Sequence, residues 1–435
     1  MNNKFQKQNF QRSYLLLCFS FLLCPVIYGQ QKLSNKETEK LADSFYNKKN
    51  YPQATFTYLS IVEQTDFPGK KAGLLYNIAC CLSLQEKKDS ALYFLKRAIE
   101  TGYSNKKNVL ADPDLVALHN SPQWDPLVKT IVETGKVLND DPAKARFFTD
   151  DIHRFWNAYD KALKDTLRFK EIFKENYFSK ASRGMNDYMG LKVSSIDFFI
   201  DHVRSAPEFY KAIKTKTLQV DDHKKEFFNS FLKLKSIYGP AKFPDVYFVI
   251  GAFTSAGTVS DAGLLIGVNQ VCQATGIPTN ELSARLRTRL MAYQSLPNII
   301  AHELIHYQQD GMKEDTTTLC YAIREGMADF IGELISGNTA NSTLFEWAKG
   351  KEKNIWEKFK KDMYYDRYFN WIANSQQATP DNLPDQGYWI GYQICKAYYE
   401  NSVDKKKAID EMLHIQDYKS FLEKSKWEEK LAALK

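Results

Sequence analysis

Two histidines stand four residues apart in the stretch "PNIIAHELIHYQQDG", residues 297 to 311, with a glutamate directly after the first. On a helix, positions i and i+4 share one face a turn apart, so the rings of His302 and His306 can close on a single cation. Glu303 projects beside them, placed to take a proton from a water on that cation without ligating it. The plain alternative is a surface helix that happens to carry histidines. The apolar flanks "IIA" and "LI" speak against it, because they bury the helix.

A catalytic zinc takes three protein ligands and keeps one position open. No CxxC pair occurs, so the ligands must be histidine and carboxylate. No third histidine follows at the metzincin spacing; Gly311 and Met312 stand where that motif would be running on. The favoured third ligand is Glu325 in "CYAIREGMADFIGELISG", 19 residues beyond His306. Asp329, one turn further on the same face, can accept the free N–H of a ligating histidine and fix its tautomer. The intervening loop "QDGMKEDTTT" lets the second helix return antiparallel to the first. It also carries rival carboxylates, Asp310, Glu314 and Asp315, on less rigid backbone. Glu333, two turns below Glu325, reads as structural. A hydrolytic site also needs a donor for developing negative charge. Tyr388, at a helix entry in "QGYWIGYQI", is the first candidate, ahead of Tyr392 and His414; core packing is the plain reading of each. Gly387 and Gly391, four apart, suit close helix contact better than ligand binding.

The surrounding elements must hold these side chains. At 435 residues, the chain exceeds one compact core. A composition of 44% hydrophobic and 26% charged residues is that of a folded globular protein. Residues 34 to 133 read as helices with a repeat: Ala54 and Ala91 occupy equivalent tight crossings 37 residues apart. "NDDPAKA" lies in a linker, 134 to 145. From Arg146 to about 240 the pattern is helical and aromatic-rich, and His153, His202 and His223 there read as surface or structural. The runs "DVYFVIGAF" and "DAGLLIGVNQV", within 245 to 271, read as a hairpin or two edge strands joined by "TSAGTVS". "NELSARLRTRLMAYQSL" reads as helix, its arginines alternating instead of lining one face. The zinc helices span 298 to 336 and a helical part follows from 342 to 430. The fold class is mainly α with a small β-sheet (α+β).

Two resemblances rest on these stretches. "YNIACCLSLQEKKDSALYFLKRAIETGY" with "DPDLVALHNSPQWDPL" resembles the end-of-group form of the tetratricopeptide family and implies a packing or protein-binding module. "HELIH" followed by "EGMAD" looks like the gluzincin clan of zinc metallopeptidases. More narrowly, residues 146 to 430 are similar to a bacterial family of zinc-dependent proteases of otherwise unknown function. "FPDVYFVIGAFTSAGTVSDAGLLIGV", "PNIIAHELIHYQQ", "REGMADFIGELISG" and "GYWIGYQICKAYYE" carry that likeness. The resemblance implies a zincin-like domain with one Zn²⁺ per chain. His302, His306 and Glu325 would be its ligands, Glu303 the base and Asp329 the partner behind a ligand. It also implies a strand near Thr254 to Ser260 along the cleft, where an extended peptide could pair. The expected activity is hydrolysis of peptide bonds. The alternative is a non-enzymatic protein that binds a partner through the repeats, on a metallopeptidase scaffold.

Lys4, Lys7 and Arg12 before "YLLLCFSFLLCPVI" form a secretory signal peptide over residues 1 to 29. The expected location is periplasmic or extracellular. Lipid anchoring at Cys24 is disfavoured, because Leu23 is bulkier than that processing prefers. Losing the leader takes three positive charges from a net +7. The remaining charge is interspersed, which excludes a nucleic-acid partner, and no later stretch spans a membrane. The five cysteines beyond the leader are scattered and odd in number, so they read as buried thiols. The partners implied are a peptide or protein substrate and a protein docked on the repeats.

Overall fold

A computed structural model describes residues 35 to 433, apart from 134 and 380. The leader and Cys24 lie outside the described residues. The chain is mainly helical with one four-stranded sheet, an α+β class. No helix of the described residues is long and apolar enough to cross a membrane.

Four helices open the described chain: α1 (Asn35–Asn47), α2 (Tyr51–Val62), α3 (Pro68–Ser83) and α4 (Lys88–Glu100). Asn50 caps α2 through its side chain, and prolines enter the first turns of α2 and α3, where no N–H is missed. Ala54 and Ala91 are wholly buried, because only a methyl fits between helices that approach this closely. Three short helical turns close the stack, Lys106–Ala111, Pro113–Leu118 and Trp124–Lys129. This layer has its own apolar core, distinct from that of the rest of the chain.

The sheet consists of β1 (Phe147–Phe148), β2 (Val246–Val249), β3 (Gly257–Ser260) and β4 (Gly263–Gly267), in the order β1-β2-β4-β3. The two apolar runs do not form a hairpin with each other: β2 pairs with β4 in parallel. Both are buried throughout, as strands covered on two faces are. The hairpin is β3 with β4, so the small polar segment read as a connector supplies the edge strand. Phe147 and Phe148 start the sheet instead of a helix; their register partners are Val246 and Tyr247. The arginine segment also departs from helix. Ala284–Arg287 is a single helical turn, Arg289 lies in the loop beyond it, and helix resumes only with the 3-10 turn Tyr293–Ser295.

All five cysteines beyond the leader are free and buried. Three helices then build the site. The metal helix is Leu296–His306, the carboxylate helix Thr318–Ser336 and the tyrosine helix Gln386–Asn401. Thr317 caps the carboxylate helix, and Gly337 ends it in the left-handed conformation at φ 91°. A Cβ on Gly391 would sit 1.7 Å from the Ala322 carbonyl oxygen, and one on Gly326 1.9 Å from the Tyr392 nitrogen. The carboxylate and tyrosine helices therefore cross backbone against backbone, the contact that Gly391 suits.

Candidate metal centre

The metal helix is buried on nearly every side, which its run of Ile299, Ile300, Leu304 and Ile305 requires. Its two histidines turn their Nε2 atoms toward each other, 3.0 Å apart. Glu325 Oε2 completes a triangle, 3.2 Å from His306 Nε2 and 3.5 Å from His302 Nε2. Zinc bonds of about 2.0–2.1 Å at tetrahedral angles separate ligand atoms by about 3.3 Å. The three atoms stand at that separation, with no rearrangement needed for an ion to seat among them. Two histidine nitrogens and a carboxylate oxygen are also a donor set that zinc accepts.

Behind each histidine sits a polar partner. His302 Nδ1 lies 2.9 Å from Asp329 Oδ1, and Asp329 is almost wholly buried. Asn341 in turn donates to Asp329 Oδ2 at 2.8 Å. His306 Nδ1 lies 2.9 Å from Gln309 Oε1, while Gln309 Nε2 donates to the Arg324 carbonyl at 2.8 Å. Donation from each Nδ1–H fixes the tautomer and leaves the Nε2 lone pair facing the centre. Sequence reading missed Gln309 and Asn341. The signal for Gln309 was its place one helical turn after His306; nothing local marks Asn341, which follows the carboxylate helix.

The charges are coupled. Burial pulls His302 down, but Asp329 and Glu325 outweigh it and hold its pKa well above the ordinary value. Burial likewise opposes protonation of His306, which Glu325 raises. Burial would raise Glu325, yet His306 and His302 hold it well below the carboxylate range. Burial raises Glu303.

Glu303 faces the edge strand. A Cβ on Gly257 would lie 2.3 Å from Glu303 Oε1, so glycine there lets the backbone of β3 pass over the carboxylate. Tyr388 packs on His302, its ring stacked 6.0 Å from the imidazole, with its hydroxyl pKa raised well up by burial and by Glu325. The rival residues are elsewhere. Asp310 pairs with Lys136, Asp315 accepts from the Thr317 nitrogen, and Glu314 is exposed. Tyr392 donates to Glu333. His414 bonds the Asp410 carbonyl and packs at Gly311. His153 and His223 bond surface carboxylates, and His202 is buried.

Residues 142–429 match a family described as "Gliding motility protein GldB". This match overturns both resemblances drawn from short motifs: no zincin or tetratricopeptide family was found. The peptide-hydrolysing metalloprotease that Glu303 was expected to serve is corrected by the same finding. So is the alternative of a repeat-based binding module on a metallopeptidase scaffold. The physical reason is that two crossing helices suffice to set such a ligand triangle, and a site geometry does not carry its usual substrate with it. The chain is also 29% identical over 105 residues to a chloroplastic protein of Arabidopsis thaliana, covering 24% of this chain and 31% of that protein. It thus spans about a third of the length of that curated relative. No solved structure matches.

Proposed function

This chain belongs to the gliding motility protein GldB family, and on that premise we propose that it serves gliding as an exported protein built around one zinc ion. The observation that carries the metal is the triangle of His302 Nε2, His306 Nε2 and Glu325 Oε2, at 3.0, 3.2 and 3.5 Å. Its edges fit a tetrahedral ion of about 2.0–2.1 Å bonds. When bound, zinc supplies Lewis acidity at the fourth position. Asp329 and Gln309 orient the two rings for it. Glu303, buried with its pKa raised, can hold a proton at its carboxylate beside that position. Tyr388 packs on His302 and the backbone at Gly257 lies against Glu303.

The proposed location is the outer face of a membrane. The matched family is named as one of lipoproteins, and Cys24 in the leader offers the thiol for a lipid anchor. On this reading Leu23, although bulky, is accepted before the lipid-bearing cysteine. A Cys24→Ser chain should leave the membrane fraction; if it stays there, the anchor lies elsewhere.

The deciding experiment is metal content of the purified chain beside Glu325→Ala, with colony spreading scored for both. We expect one zinc per chain, lost together with gliding in the variant. A wild-type chain that neither holds nor takes up zinc would sink the metal. Loss of zinc with gliding intact would separate the ion from the motility role.

A further inference from the structure

Arg289 sits in the loop after the short helix Ala284–Arg287, half-buried, and no carboxylate among the described residues forms an ion pair with it. Its guanidinium makes two long hydrogen bonds to neutral acceptors, 3.4 Å to the Phe253 carbonyl and 3.3 Å to Ser375 Oγ. Those acceptors lie on the two segments that wall the metal centre. From Phe253 the chain runs to Gly257, against Glu303. Ser375 adjoins Asn374, whose side chain holds the Asp385 nitrogen at 2.7 Å, and Asp385 opens the tyrosine helix that brings Tyr388 to His302. Asp385 lies within electrostatic reach of both Arg289 and the metal-facing Glu325.

The backbone here is unusual. Phe253, Ala373 and Asp385 all have positive φ, 57°, 56° and 62°, although none is glycine. Such conformations are strained for residues with a side chain and gather at ligand sites. Asp385 Oδ1 is buried without a hydrogen-bond partner. A cation withdrawn from water without a carboxylate in contact is costly, and a planar fork suits a carboxylate in particular.

We propose that Arg289 is the anion-binding subsite of this cleft and takes the carboxylate of a ligand whose other end reaches the metal position. The subsite rests on the zinc reading above. One guanidinium matches one negative charge. Asp385, within electrostatic reach but unpaired with Arg289, disfavours a phosphate dianion in the same place.

The test uses the zinc-loaded chain and α,ω-dicarboxylates from succinate to suberate, each beside the monocarboxylate of equal length, with affinities read by calorimetry. Acetohydroxamate, which binds zinc alone, reports the metal. At least one dicarboxylate should bind more tightly than its monocarboxylate, and Arg289→Ala should weaken it about tenfold or more. Zinc content and acetohydroxamate affinity should not change. Arg289→Lys, which keeps the charge but not the fork, should show a smaller loss and serves if the alanine variant does not fold. Zinc and acetohydroxamate retained, with no dicarboxylate sensitive to residue 289, would overturn the subsite and leave the zinc reading standing. Absence of zinc and of acetohydroxamate binding in the wild type would overturn both.

Discussion

Asp329 and Gln309 do the same work on the two histidines with different chemistry. One is an anion that makes its imidazole a stronger donor to metal; the other is neutral and only orients. Removing such a partner typically costs about 10–100-fold in metal affinity. We expect Asp329→Ala near the upper end of that range and Gln309→Ala near the lower, measured by competition with a chromophoric chelator. Equal losses would mean that orientation alone matters. The same residues set a pH dependence. The folded pKa of His302 is raised well above its unfolded value. Its contribution to zinc-free stability is therefore complete below about pH 6.5 and lost as pH rises through the folded pKa. Glu325, depressed, contributes above about pH 4.3 and loses that contribution as pH falls through its own folded pKa. Zinc must displace the histidine proton, so its affinity should climb as pH rises from about 6.5 toward the folded His302 pKa. Melting curves in chelator and in zinc should accordingly move in opposite directions over that window; parallel movement would contradict the assignment.

At the scale of elements, the centre depends on how closely the carboxylate and tyrosine helices approach. Gly326 and Gly391 let the backbones touch, and a methyl at 391 has no space beside the Ala322 carbonyl. Gly391→Ala should force the helices apart, costing about 1–3 kcal/mol or more. Because Glu325 stands on one helix and Tyr388 on the other, zinc affinity should fall with melting temperature. An unchanged melt would show that the crossing can give way. The metal helix is held from the other side by Gly332, where a Cβ would come 3.4 Å from the His302 nitrogen.

Across the whole molecule, contacts at the start of the third helix help join the N-terminal helices to the rest. Asp66 accepts from the Ile196 nitrogen at 2.7 Å, and Phe67 is buried in the main core beside Phe178. The following strap, residues 135 to 141, lies across the end of the metal helix. Lys136 donates to the Tyr307 carbonyl and pairs with Asp310, while Tyr307 donates to the Val137 carbonyl at 2.8 Å. Asn139 accepts from the Phe243 nitrogen at 2.6 Å. Lys136→Ala removes a charged donor, worth about 1.5–3 kcal/mol. Limited proteolysis should then cut the strap faster than in the wild type. Cleavage at the wild-type rate would show that Tyr307 and Asn139 suffice to hold it.

The sequence by itself determined what periodicity and fixed local spacing can carry. The i, i+4 geometry put His302 and His306 on one face, and caps and apolar runs marked the helices. The mix of long helical patterns with few strand signals set the α+β class. Export signals were legible, although the residues that bear them lie outside the described structure. Only the tertiary structure decided which distant groups meet. The Glu325 oxygen closes the triangle because two helices pack antiparallel, while Asp310 pairs with Lys136 and Asp315 accepts from the Thr317 nitrogen. Gln309, Asn341 and Arg289 have no motif; their roles exist only once segments far apart in the chain are brought together. The strands deceived for a related reason: an apolar run reads alike whether its neighbour is parallel or antiparallel, and the connection between them decides. Two short motifs likewise suggested a peptidase, whereas similarity spread over residues 142–429 placed the chain in a gliding motility family. A ligand triangle constrains a few atoms; a family match integrates the whole packed chain.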